Sequence, residues 1–433
     1  MEDLKDPQST PPLSQAVPLG IQHVLAMFAS NVTPAILVAI AAGLAFGSGD
    51  MIYLIQMAMV FAGIATLMQT IGFGPVGARL PVMQGTSFAF VPVMIPIAKT
   101  AGLGAVFGGV VLGGIFHFFL GTIIGRIRSW MPPLVTGLVI LTIGLSLIPV
   151  GIDYAAGGVP LKGKEAFGTF GHWGLALVVI VVTLGVQFYS RGFLSTASVL
   201  IGIIAGYIVA MMLGQVDFGR VASASWFALP QPFKMGFSLN VAAIVGMCLM
   251  AFVSAIETVG DISGITKGGA NREATDKEIS GGTLADGLGS AVAGIFGGLP
   301  NTSFSQNVGL VAMTGVMSRH VVTIGAIFLI LAGLVPKVGA VIAAMPIAVL
   351  GGGVIMMFGM VAAAGLNMLT EVKMNRRNMM ILAFSLSLGL GLKLVPEAMQ
   401  HLPATLKMLL QTGLLPVAVI AIVLNAVVPD RDD

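Results

Sequence analysis

Hydrophobic residues run along this chain in nearly unbroken blocks. Leu175 to Val186 and Val199 to Leu213 hold no charged residue at all. A bilayer crossing by a helix takes about 20 such residues, and on that measure the chain divides into about fourteen segments. They fall at residues 17–45 (one long element, kinked at Pro34), 53–71, 82–98, 102–124, 132–151, 172–189 and 195–214, then at 239–265, 281–297, 302–316, 319–335, 343–364, 378–394 and 405–428. A transmembrane barrel would alternate apolar and polar positions over segments of about 10 residues. The blocks here do not alternate, so the pattern predicts an all-α polytopic membrane protein. The longest polar stretches, 151–171, 215–239 and 267–280, are loop-sized and leave no soluble domain. The first 17 residues are acidic and Pro-rich where a secretory signal would show a basic start and an apolar centre. Insertion is therefore expected to begin with the first span.

Composition agrees with the pattern. Of 433 residues, 56% are apolar and 9% are Asp, Glu, Lys or Arg, against about 25% charged in soluble domains, and the mean hydropathy is +0.99. The net charge of +3 is scattered, with no basic run to form a nucleic-acid footprint. The single cysteine, Cys248, sits in an apolar run, which excludes an internal disulfide and a cysteine-based metal cluster. Assigning alternate loops to one side collects 13 of the 21 Lys and Arg residues, among them Arg79, Arg126, Arg128, Arg272, Arg376 and Arg431. By the positive-inside rule that side is cytoplasmic, and an even span count puts both termini there.

An internal repeat appears at half the chain length. Thr86-Ser87-Phe88 recurs as Thr302-Ser303-Phe304, an offset of 216, and Met131-Pro132 recurs as Met345-Pro346, an offset of 214. Seven spans per half is an odd number, so the halves lie in opposite orientation, the inverted repeat of secondary transporters. In that architecture the site lies near the midplane, where interrupted segments of both halves meet. The two Thr-Ser-Phe segments are short, polar and poor in helix formers. Extended backbone at membrane depth survives only when paired with protein or lining a cavity. The two segments are therefore expected to pair as short antiparallel strands in spans 3 and 10, each leading into a half-helix.

Of 18 acidic residues, only Glu257, Asp261 and Asp286 fall inside spans. Glu257 and Asp261 are four apart and share a helix face. An acidic residue at the centre of a spanning helix costs about 2.5 to 3.5 kcal/mol on insertion scales, so these three are candidates for accepting substrate N–H bonds and for holding a proton; capping or tying helices is the competing role. His23, among apolar neighbours in the first span, is either a satisfied core residue or a substrate contact. His117 lies on a Phe-rich helix and reads as packing, while His172, His320 and His401 sit at span ends. Gly351-Gly352-Gly353 lacks the Lys-Ser/Thr of a phosphate loop. No ATP-binding or metal constellation is present, so no cofactor is expected and transport should be secondary.

Gln306-Asn307-Val308-Gly309 followed by Thr314-Gly315 resembles the signature of the nucleobase-ascorbate transporter family, also called nucleobase cation symporter family 2. The resemblance extends to Gln22-His23, to Gln84-Gly-Thr-Ser-Phe-Ala-Phe90, to Pro133-Leu-Val-Thr-Gly137, to Glu257-Thr-Val-Gly-Asp261 and to Pro300-Asn-Thr-Ser-Phe-Ser-Gln-Asn307. It implies a core domain at residues 17–130 and 239–340 and a gate domain at 131–238 and 341–428, with tails at 1–16 and 429–433. It also implies a homodimer in the cell membrane and proton- or sodium-coupled uptake of nucleobases. By the same resemblance Glu257 and Gln306 hold the base. Gln306 presents both a donor and an acceptor, as an oxidised purine such as xanthine or uric acid requires, whereas uracil carriers tend to have Glu there. Asp261, Asp286, His23 and Asn307 match positions that organise the site, and Phe90 and Ser305 would supply ring contact and backbone donors. Ala89 stands where xanthine-selective bacterial relatives often have Asn, which implies room for urate as well as xanthine. The alternatives are an anion carrier of the sulfate-transporter type on the same fold, which would place basic residues in the site, and a permease for uracil or another nucleobase.

Overall fold

The computed structural model describes residues 2–127 and 132–429. Arg128 and Arg431, counted above on the cytoplasmic side, and Met131 of the second repeat match lie outside the described residues, as does the tail from Asp430.

The first apolar blocks form α1 (Leu13–Ala41) and α2 (Gly49–Thr70). Ser48 starts α2 by accepting a hydrogen bond from the Met51 N–H at 3.3 Å, which satisfies one of the donors a helix start leaves free. Segment 82–98 begins instead with strand β1 (Gln84–Thr86) and one tight turn at Phe88–Phe90 before α3 (Val91–Ile127). Gly102 breaks α3 with a φ of +79°, a left-handed conformation that costs glycine little. There follow α4 (Pro133–Ala155), α5 (Phe170–Tyr189), the short α6 (Phe193–Thr196), α7 (Ser198–Met212) and the short α8 (Gly219–Ser223). The second half has α9 (Val241–Ala270), α10 (Asp276–Ile295), strand β2 (Asn301–Ser303) and α11 (Ser305–Thr314). It continues with α12 (Arg319–Gly333), α13 (Pro336–Ala343), α14 (Ile347–Thr370), α15 (Arg376–Leu394), α16 (Ala404–Leu410) and α17 (Leu414–Val427).

Each predicted segment contains a helix, and the two Thr-Ser-Phe segments are the strands that the sequence suggested. Among the described residues, seven helices are long and apolar enough to cross a membrane, or nine when the bent pairs α12–α13 and α16–α17 each count as one span. The chain is a multi-pass membrane protein. Large side chains such as Phe119, Val181, Phe188, Leu331 and Phe384 are exposed on its outer faces, as a surface solvated by lipid requires.

The helices sort into two packed groups. In one, α1, α2, α3, α9, α10, α11 and α12 pack around the strands; in the other, α4, α5, α7, α14, α15 and α17 pack on one another. Lipid tails give helices no hydrophobic reason to associate, so close packing of small residues does that work. A Cβ at Gly287 of α10 would lie 2.1 Å from the Phe118 nitrogen of α3, and one at Gly351 of α14 would lie 2.1 Å from the Ala155 nitrogen of α4. Each group is thus centred on a helix pair at backbone contact.

Candidate functional site

The strands cross where the two halves of the chain meet. β1 and β2 pair antiparallel, with Gln84 opposite Ser303, Gly85 opposite Thr302 and Thr86 opposite Asn301. The ladder is extended by the Ser87 N–H on the Pro300 carbonyl at 2.9 Å and the Phe304 N–H on the Met83 carbonyl at 3.0 Å. With only three residues in each strand, side chains must satisfy the outer backbone groups. Asn31 of α1 accepts from the Thr86 N–H at 2.8 Å, and Thr66 of α2 accepts from the Gln84 N–H at 2.9 Å. Ser290 of α10 accepts from the Asn301 N–H at 2.8 Å. Three helices thus clamp the crossing.

Asp286 is fully buried beside it. One carboxylate oxygen accepts from Gln84 Nε2 at 2.5 Å and from Gln69 Nε2 at 2.8 Å, and the other accepts from the Thr258 hydroxyl. Asp261 accepts from the Ser303 hydroxyl at 2.6 Å and from the Ser305 hydroxyl at 2.8 Å, tying α9 to β2 and to the start of α11. Asn307 Nδ2 donates to the His23 carbonyl at 3.0 Å and meets His23 Nδ1 at 3.0 Å, which leaves the ring proton on Nε2. Asp261, Asp286, His23 and Asn307 are all buried and each bonds to protein, though Asn307 Oδ1 is buried without a partner among the described residues.

Glu257 and Gln306 differ from these four. Both are half-buried, and neither side chain has a hydrogen-bond or ionic partner among the described residues. Glu257 lies one helical turn before Asp261 on α9, and Gln306 lies in the first turn of α11. No side chain caps that helix start; the Asn307 N–H donates to the Phe304 carbonyl at 2.9 Å, which leaves the Ser305 and Gln306 N–H groups and the positive end of the dipole for a polar ligand. Ser305 is exposed, apart from its bond to Asp261. Opposite, Ala89 is 3% exposed in the Phe88–Phe90 turn, its N–H donating to the Ser87 hydroxyl at 3.3 Å. Phe90 is buried in a closed gap with Met247, His117 and Ser290. The half-buried aromatic of this turn is Phe88, which meets Phe358 of α14 edge-on, ring centres 5.3 Å apart. The Ser30 hydroxyl reaches Met357 Sδ of the same helix at 3.5 Å, so the two helix groups touch beside the crossing.

Sequence reasoning passed over Asn31 and Gln69, and it quoted Gln84 and Thr258 only as parts of motifs. The signal was there for two of them: Asn31 and Gln69 are amides inside apolar spans, where a polar group needs a buried partner. Among the described residues, no group of three or more His, Cys, Asp or Glu is placed to hold a metal ion.

A model of the Permease family, whose members include xanthine and uric acid permeases, matches residues 14–398. The chain belongs to the nucleobase-ascorbate transporter family. The permease is 36% identical to a xanthine permease of Bacillus subtilis over 414 residues, covering 94% of this chain and 92% of that protein. It is 38% identical to a uric acid transporter of Escherichia coli over 413 residues, covering 94% and 84%. Among solved structures, the fold matches the transmembrane domain of a cyanobacterial bicarbonate transporter with a TM-score of 0.63 at 15% identity, over 95% of the permease and 97% of that chain.

Proposed function

We propose that the permease is a secondary active transporter that takes up purine nucleobases, xanthine and uric acid, together with protons, by alternating access. The carrying observation is the split among its embedded polar groups. Asp261, Asp286, His23 and the Asn307 Nδ2 group bond to the scaffold, while the Glu257 and Gln306 side chains have no partner among the described residues. A carboxylate acceptor together with an amide that offers one donor and one acceptor complements the alternating N–H and C=O edge of an oxidised purine. The named relatives support that substrate class.

In this reading the chain divides into a core at residues 17–130 and 239–340 and a gate at 131–238 and 341–428, a division that the two packed helix groups support. Rocking of one against the other would expose the crossing to each side in turn. The proton sites in this reading are the three convergent acids, and sodium is the competing ion. Both termini are cytoplasmic in this reading, and the functional unit is a homodimer. An anion carrier would put a cation at the crossing; the charged side chains around it among the described residues are acids.

The test is uptake of radiolabelled xanthine and urate by cells lacking their own carriers. The expected result is saturable uptake of both, cross-inhibited by each other and unaffected by excess bicarbonate or sulfate. Uptake of neither purine, with transport of an inorganic anion instead, would overturn the reading.

A further inference from the structure

Asp286 is sealed. It is 0% exposed, and its carboxylate oxygens are enclosed by the Gln69 and Gln84 amides and the Thr258 hydroxyl. To a proton these partners are not equivalent. An amide N–H donates a hydrogen bond but keeps its proton, whereas a hydroxyl carries both a proton and lone pairs and can take one proton as it gives up another. Among the described residues, Thr258 is therefore the bonded neighbour through which a proton can reach Asp286.

The Thr258 hydroxyl has two neighbours of its own, both on β2. Thr302 lies at 3.5 Å, and behind it the fully buried Ser254 donates to Thr302 at 3.1 Å, where that branch ends. Ser303 also lies at 3.5 Å from Thr258, and it bonds to Asp261 at 2.6 Å. Asp261 is 7% exposed, and its other oxygen accepts from Ser305, which is exposed at the start of α11. The four groups Asp261, Ser303, Thr258 and Asp286 thus form a line from the open side of the crossing to the sealed acid. The other titratable side chains at this depth on the surrounding elements are Glu257 of α9, His23 of α1 and His117 of α3. Glu257 has no partner among the described residues, His23 is joined to Asn307, and both ring nitrogens of His117 are buried without a partner. None of them enters the line.

We propose that Ser303 and Thr258 relay a proton between Asp261 and Asp286, so that the sealed acid loads and unloads its proton through the one that borders the open side. The proposal rests on the proton coupling proposed above. In the loading direction Asp261 gives its proton to Ser303 Oγ, Ser303 gives its own to Thr258 Oγ1, and Thr258 gives its own to Asp286. Three O–H bonds break and three form, both hydroxyls are restored, and the negative charge moves from Asp286 to Asp261. The middle link is the longest. Hydroxyl hydrogen bonds centre at about 2.8 Å, so this link must shorten by about 0.7 Å to conduct, which is within the ordinary displacement of packed atoms, about 0.9 Å.

The test uses the purified full chain in proteoliposomes that enclose a pH-sensitive dye. Xanthine added outside should acidify the interior of wild-type vesicles. Thr258→Val, which keeps the shape and loses the hydroxyl, and Ser303→Ala should each slow acidification and net uptake about 100-fold, the scale of a lost proton-transfer group. Exchange of xanthine for xanthine, which returns the loaded carrier and releases no proton, should persist in both. Thr258→Ser should recover acidification, and Ser254→Ala, on the closed branch, should acidify as wild type does. Ser303→Ala decides the matter if Thr258→Val fails to insert. Loss of exchange in step with net uptake would show a structural role and overturn the proposal, as would acidification at the wild-type rate by Thr258→Val or Ser303→Ala. Wild-type vesicles that take up xanthine without acidifying would overturn the coupling itself, and the relay with it.

Discussion

One helical turn of α9 separates a carboxylate with two hydroxyl donors, Asp261, from one with none, Glu257. A substitution at each therefore reads out a different thing. Glu257→Gln keeps the shape and removes the charge from the bond that Glu257 is proposed to make to the substrate. Bonds to charged groups contribute about 1.5 to 3 kcal/mol, so kcat/KM for xanthine should fall about 10- to 150-fold, while the purified variant melts as wild type does. Unchanged transport by Glu257→Gln would remove that residue from the site. Ala89 poses a question of breadth. If it faces the ring edge that carries the extra oxygen of urate, Ala89→Asn should exclude urate about 10- to 200-fold while sparing xanthine. Inhibition of xanthine uptake by urate, compared in the two proteins, measures this; equal inhibition constants reject a role in selectivity. The methyl is almost fully buried, so the rival outcome, in which Asn disturbs the turn and harms both substrates alike, is separable by the same assay.

At the scale of elements, the strand crossing is held by side chains rather than by its own length. Removing the Asn31 side chain leaves the Thr86 N–H buried without its acceptor, at a cost of about 1 to 3 kcal/mol. Asn31→Ala should therefore lower the melting temperature of detergent-purified protein and reduce uptake of every substrate together, unlike a change at Ala89. A preserved melting temperature would mean that the clamp is dispensable. The contact of α3 with α10 gives a second test. Gly287→Ala forces a methyl into the Phe118 backbone, and overpacking of this kind costs about 1 to 3 kcal/mol. Gly185→Ala on α5, where a Cβ would meet nothing within 4 Å, should be neutral or mildly stabilising. Equal melting temperatures for the two variants would show that α3 and α10 can separate without cost.

For the whole molecule, the proposed proton symport would give uptake a direction. Uptake should rise as the external pH falls, collapse with a protonophore, and be indifferent to replacing sodium with potassium; persistence under protonophore with a need for sodium would reject proton coupling. The sequence by itself determined the solvent, since so few charges over so many apolar residues leave only a bilayer, and it determined the repeat, because two motifs recur at nearly one offset. It also picked out the three embedded acids, because charge in a spanning segment is costly enough to stand out from the composition. What it left open is which of those acids is free. Asp286 draws Gln69 and Gln84 from more than 200 residues away, and Asp261 draws Ser303 and Ser305 from across the strand crossing. Hydrogen bonds between residues so distant in the chain have no local pattern to announce them. Only the tertiary structure, by bringing α2, β1, α9, α10 and β2 to one point, consumed two of the carboxylates and left Glu257 open.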